Sequence, residues 1–357
     1  MSWSRGRRAL IGCVTTAALV GLSPGPVQAM RMGAPQPGEV VFATIRDGVP
    51  QIYAINDDGT HLHRLSSQGG VDSHPVFSPD GARIAFSSPR RDVDGVWGHA
   101  GASIWVMDAN GSASRRLTDG TQIDVEPVWS PDGRHIAFTR VFNGSAAIWL
   151  MDADGRDAHR LTSGAEDAVN YRPAFAPDGR HLAFTSVTYD KAGMDNADIW
   201  MIGVDGRGVA RLTTQPGYDI DPSFSPDGRQ LAFTTGRDGN SEIYTMGIDG
   251  QGQRRLTDDP GVDTAAAYSP DGNRIVFSSN RRGGRGDLWI METDGSGQSC
   301  LTTDAAGDTD PSWTGSTSTI AGAGAGSLAA LPPPAGCLAP DPETTLNQLP
   351  VGHGEGG

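Results

Sequence analysis

A segment of the form Asp-x-x-Pro-x-aromatic, running into Ser-Pro-Asp-Gly, recurs along this chain of 357 residues, and that repetition constrains the fold more than any other feature. Its Pro falls at Pro75, Pro127, Pro173, Pro222 and Pro311, with Ala266 taking the place in one copy. The aromatic two positions later is Phe77, Trp129, Phe175, Phe224, Tyr268 or Trp313. Copies are 44 to 52 residues apart, long enough for a supersecondary unit of several strands.

Each unit reads as four short strands separated by turn residues. The first strand holds the Pro and the aromatic. The second is Ile84-Ala85-Phe86 or its counterparts, such as Leu231-Ala232-Phe233. Between them, the Pro of Ser-Pro-Asp-Gly presets φ and its Gly accepts the left-handed position of a tight hairpin. A third strand of the type Ile104-Trp105-Val106-Met107 follows. An Asn-Gly or Asp-Gly turn then leads to a fourth strand ending in Arg-Leu-Thr, as at Arg116-Leu117-Thr118. With 49 Gly and 24 Pro, the chain is poorly suited to long helices.

The ends complete the count. Residues 40–65 supply strands two to four without a first, and Asp308 to Trp313 supply a first strand with nothing after it. The predicted fold is therefore all-β: a six-bladed β-propeller of four-stranded blades over residues 39–314, its ring closed by the N-terminal strands together with a C-terminal strand. Third-strand aromatics recur in every blade and read as packing between blades.

These motifs resemble the propeller repeat of the TolB family, whose hallmark is Pro-x-aromatic-Ser-Pro-Asp-Gly with a later Arg-Leu-Thr. The resemblance implies a WD-like β-propeller and an extracytoplasmic binding role. The family's namesake binds a peptidoglycan-associated lipoprotein and carries an α/β domain ahead of the propeller. Here only residues 30–38 separate the expected signal from the first strand, so no such domain is expected. Ala176, Ala266 and Cys300 depart from the repeat, Cys300 standing where the other blades place the Arg of Arg-Leu-Thr.

Loops joining strands two and three, and those entering the next blade, share one face of the disc and carry all the length variation, which marks the binding face. Two are outsized: Ser88 to Ala102, with Arg90, Arg91, Trp97 and His99, and Ser186 to Ala197, with Tyr189, Lys191, Met194 and Asp195. Arg and aromatic side chains on such loops suit a partner-binding role, although Trp97 and Tyr189 could equally fold onto the propeller.

The same face carries the leading acid of the motif: Asp72, Asp124, Asp219, Asp263 and Asp308, with Asn170 in the remaining blade. Five carboxylates around a narrow opening call for a counter-cation or nearby Arg, and oxygen ligands would suit Ca²⁺ or Mg²⁺. The alternative is that each acid accepts N–H bonds in its own turn. No cofactor is otherwise indicated. Neither a Gly-x-Ser-x-Gly elbow, a His-Glu-x-x-His pair, a phosphate-binding Gly loop nor a Cys-x-x-Cys pair is present. The leading expectation is a non-catalytic propeller that binds a protein or envelope polymer. A cation-dependent carbohydrate-active lyase or hydrolase and a small-ligand sensor module are carried as alternatives.

Arg5, Arg7 and Arg8 precede the apolar stretch Ala9 to Leu22, and Val27-Gln28-Ala29 follows, the order of a secretory signal cleaved after Ala29. Export to the periplasm, cell envelope or exterior is expected, by a general or a twin-arginine route, with no membrane segment after cleavage. The mature chain would hold 25 Lys plus Arg against 42 Asp plus Glu, a balance that repels nucleic acid. It would retain Cys300 and Cys337, which could pair. Residues 315–357, rich in Gly, Ala and Pro, read as a disordered tail, and the whole as a monomer.

Overall fold

The computed structural model describes residues 38–66, 70–89, 101–142, 145–162, 169–189, 195–303 and 306–314. The expected signal peptide, the tail, Arg90, Arg91, Trp97, His99, Lys191, Met194 and Cys337 all lie outside them. Among the described residues there are 24 strands and no helix.

The strands run in fours along the chain. β1 (Glu39–Thr44), β2 (Gln51–Asn56) and β3 (His63–Arg64) are followed by β4 (Ser73–Phe77), β5 (Arg83–Ser88), β6 (Ser103–Asp108) and β7 (Arg115–Arg116). Next come β8 (Ile123–Trp129), β9 (His135–Phe142), β10 (Ser145–Asp152) and β11 (His159–Arg160), then β12 (Val169–Phe175), β13 (His181–Tyr189), β14 (Asp195–Gly203) and β15 (Ala210–Arg211). β16 (Asp219–Phe224), β17 (Gln230–Thr235), β18 (Glu242–Gly247) and β19 (Arg254–Arg255) precede β20 (Asp263–Tyr268), β21 (Arg274–Ser279), β22 (Asp287–Glu292), β23 (Ser299–Cys300) and the last strand, β24 (Asp308–Trp313).

Each group of four is an antiparallel meander, as in a propeller blade. β24 pairs with β1, setting Trp313 opposite Val40 and Asp308 opposite Thr44, so the two ends of the chain share one sheet. Four sheets have four strands each, whereas β8–β11 and β12–β15 form a single eight-stranded sheet joined by the parallel pair Ala146 and Val169. The fusion arises where β9 and β10 run to 8 residues instead of the usual six, bringing Ala146 to the neighbouring strand.

The same lengthening corrects the expected loop Ser186 to Ala197. β13 and β14 continue as paired strands until Tyr189 faces Asp195, so most of that segment is hairpin. The fourth strands are also shorter than the sequence suggests. Only two residues pair in each, after which the Oγ1 of the Thr of Arg-Leu-Thr accepts a backbone N–H of strand three, as from Ile104 to Thr118 at 3.1 Å. Two-residue edges offer little to an incoming strand.

The apolar core lies between blades. Phe77, Ile84 and Phe86 pack with Val41, Ile52 and Leu65 of the preceding unit, and the pattern continues around the chain until Val276, Leu288 and Leu301 meet Val40, Phe42 and Trp313. The second-strand Phe is wholly buried in five copies of the repeat, as Phe42, Phe86, Phe138, Phe233 and Phe277, and Phe184 in the remaining one is buried as well. Trp105, Tyr53 and Trp289 are partly buried against these clusters, as the inter-blade reading of the third-strand aromatics anticipates.

In the turns between strands three and four, two positions have positive φ in every copy, and the first is always Gly, as at Gly111 and Gly250. At the second, Gly208, Gly252 and Gly297 stand in three copies and His61, Ala113 and Asp157 in the others, with φ of 52° at Ala113. A Cβ there costs about 1–2 kcal/mol. Glycine removes that strain but loses about 0.5–1 kcal/mol through unfolded-chain entropy. Ala113→Gly is therefore expected to raise the midpoint of thermal unfolding by up to about 4 °C, and Gly252→Ala to lower it, both measurable by calorimetry.

Candidate functional site

The innermost strands surround a channel. At the residue before each Pro the strand register shifts, and that residue lies in the left-handed region: His74, Glu126, Arg172, Asp221, Ala265 and Asp310, with φ between 50° and 56°. The backbone N–H groups exposed by this bulge are recruited by neighbouring blades. Ser87 Oγ accepts from Glu126, Thr185 Oγ1 from Asp221 and Thr234 Oγ1 from Ala265.

These six residues, with the prolines, line a central cavity of about 280 Å³. The Nε of Arg172 contacts Glu126 at 3.0 Å and Asp221 at 3.3 Å, and its terminal nitrogen donates to Asp310 at 2.8 Å. Glu126 also accepts from Thr139 and from the backbone N–H of Arg172. His74 Nε2 lies 3.8 Å from Asp310, while its buried Nδ1 has no hydrogen-bond partner. Burial opposes the charge on Arg172, but Asp221, Asp310 and Glu126 more than compensate and hold its proton well above the usual range. Asp310 is also disfavoured as an anion by burial, yet His74 and Arg172 bring its carboxyl down to about 2. Asp221 goes the other way, because burial raises it and Arg172 offsets only part of that.

Sequence reading missed this ring. Its signal was available, since five of six residues preceding the motif's Pro position are ionisable.

The acids of the expected ring are not among the residues lining this cavity. Asp72, Asp124, Asn170, Asp219, Asp263 and Asp308 are all buried. Four of the acids are held by an Arg of the same sheet: Asp124 by Arg140, Asp219 by Arg237, Asp263 by Arg281 and Asp308 by Arg46. Each guanidinium also stacks on its blade's third-strand aromatic, at 4.4 Å from Trp149 and 4.5 Å from Trp289. Asn170 approaches Thr162 instead. Among the described residues no group of three or more His, Cys, Asp and Glu side chains is arranged to hold a metal ion. Cys300 is buried in β23 and disulfide-bonded, with an Arg282 nitrogen 3.7 Å from its sulfur.

The face bearing the long loops has a second feature. Of eight exposed large hydrophobics among the described residues, four precede the motif acid directly: Val71, Ile123, Tyr218 and Val262, each 39% to 45% exposed. Val49, in the β1–β2 connection, shares that face.

The sequence matches the family described as TolB beta propeller domain over residues 96–186 and 173–325, together more than half of the chain. The chain belongs to that family. It is 33% identical over 134 residues to the protein TolB homolog of Chlorobium chlorochromatii, a match covering 28% of this chain and 30% of the relative. The Tol-Pal system protein TolB of Anaeromyxobacter dehalogenans is 34% identical over 95 residues, covering 27% of this chain and 20% of that protein. The crystal structure of TolB from Acinetobacter baumannii superposes with a TM-score of 0.64 at 24% identity, covering 78% of this chain and 66% of that one, a likeness of fold. Matches to the curated relatives thus span less than a third of their length.

The two channel acids are expected to respond oppositely to neutralisation. With its carboxyl held below the ordinary value of 3.8, Asp310 contributes roughly 2 kcal/mol above that value, lost as pH falls from about 4 to about 2. Asp221 is raised, so at neutral pH its charge opposes folding. Urea unfolding at pH 7 should show Asp310→Asn destabilised by about 2 kcal/mol or more and Asp221→Asn unchanged or stabilised.

Proposed function

We propose that this chain is an exported, six-bladed propeller that works by binding a protein partner on its loop-bearing face. The observation that carries this reading is the recurrence of an exposed apolar residue, Val71, Ile123, Tyr218 and Val262, at one position around the channel mouth. Framework carboxylates beside them are matched by guanidinium groups, so the apolar ring is what this face offers to a partner. Arg90, Arg91, Trp97, His99, Tyr189 and Lys191 belong, in this reading, to loops that frame the ring. The six-blade count rests on the repeats and on six inter-blade clusters, with the eight-stranded sheet counted as two blades.

Family membership favours an envelope location, and one relative is named as a Tol-Pal system protein. In this reading residues 1–29 are removed on export. That removes Cys13, leaving Cys337 as the partner of the disulfide-bonded Cys300.

Affinity capture from a cell-envelope extract tests the proposal. The mature protein is compared with a Tyr218→Asp, Val262→Asp variant whose melting temperature is confirmed to be unchanged. A bound protein depleted at least about tenfold by the variant is the expected result. Equal capture by both would move the binding surface elsewhere. A retained polysaccharide in place of a protein would replace the partner class.

A further inference from the structure

We infer that Arg172 is the channel's built-in counter-cation and cross-strut, and that it excludes inorganic cations from the bore. The inference goes beyond the docking proposal and shares with it only the six-blade reading. Arg172 lies on β12 and Asp310 on β24, three blades apart in either direction around the ring, yet their side chains meet at 2.8 Å. The same guanidinium reaches Glu126 on one adjacent blade and Asp221 on the other. It therefore ties the closing strand to the opposite side of the channel.

Every innermost strand contributes one residue to this level: His74, Glu126, Arg172, Asp221, Ala265 and Asp310. Without Arg172, three carboxylates would face one another with His74 as the sole basic side chain among the remaining five residues. Such a set supplies six oxygens from three blades, the donor type and number that Ca²⁺ accepts. Arg172 occupies their common centre as a planar cation with a fixed fork, a geometry that Lys cannot reproduce. Its hydrogen bonds to the ring are intramolecular, so a free cation would have to displace a side chain already held in place.

Melting curves of the mature protein, Arg172→Met and Arg172→Gln, each in millimolar Ca²⁺ and in chelator, test this. Both variants should melt lower than the unmodified protein in chelator and recover about 5–10 °C in Ca²⁺. Adding Glu126→Gln to either variant should abolish that recovery. The unmodified protein should melt alike in both buffers. Two results overturn the inference: a Ca²⁺ response of the unmodified protein that Glu126→Gln removes, or Arg172 variants that gain nothing from Ca²⁺, folded or not. Loss of partner capture in the docking experiment leaves these readouts untouched, so the two proposals fail separately.

Discussion

The left-handed residue ahead of each motif proline governs the interior of this protein. A side chain with φ near +55° in mid-strand is a local cost repeated in six copies of the motif, even at Ala265, which has no polar side chain to hydrogen-bond its own backbone. The bulge turns one residue of each innermost strand toward the axis, and in four of them its N–H reaches back to the preceding repeat, where Ser87, Glu126, Thr185 or Thr234 receives it. Without it, regular alternation would place the motif acid and the residue before the proline on the same side of the strand. The shift separates them, sending Asp124 to Arg140 within its sheet and Glu126 to Arg172 in the channel.

That separation explains how much could be read in the sequence. The strand content and order were legible because Ser-Pro-Asp-Gly is a local signal: Ser130 donates to Asp132 within the turn, and Asp132 in turn accepts from Arg134. Closure by Asp308 to Trp313 was legible because a missing first strand at one end matches a surplus one at the other. The channel ring was not, since a β-bulge is a change of register rather than a change of residue type. Nor was the length of β14, because Asp195-Asn196 are turn-type residues that here pair with the strand-forming Thr188-Tyr189 of β13.

Repetition also shows which charges belong to the framework. In four blades an acid, an Arg and a third-strand aromatic form one stacked group, the guanidinium edge on the carboxylate and its face on the ring. Where the acid is Asn170, the residue four positions past the strand-two Phe is Thr188, whereas Arg46, Arg237 and Arg281 stand there in three of those blades. Acid and Arg are absent together, as expected of a pair whose separate members would each be costly to bury. The acidic composition of this chain thus overstates the free negative charge around the channel mouth, where exposed apolar side chains alternate with neutralised acids.

Closure through β24 sets the order in which the chain can finish folding. The partner of β1 is made about 270 residues later, and until Trp313 is available the first sheet has an open inner edge and Phe42 lacks part of its cover. The sheets between β4 and β23 can assemble from local hairpins, but the ring as a cooperative whole waits for the last strand, and with it for the contact between Asp310 and Arg172. A nascent chain emerging N-terminus first therefore cannot lock its ring before nearly all of its length has been released. A nonsense mutation even a few codons before Trp313 would cost far more than the residues it removes.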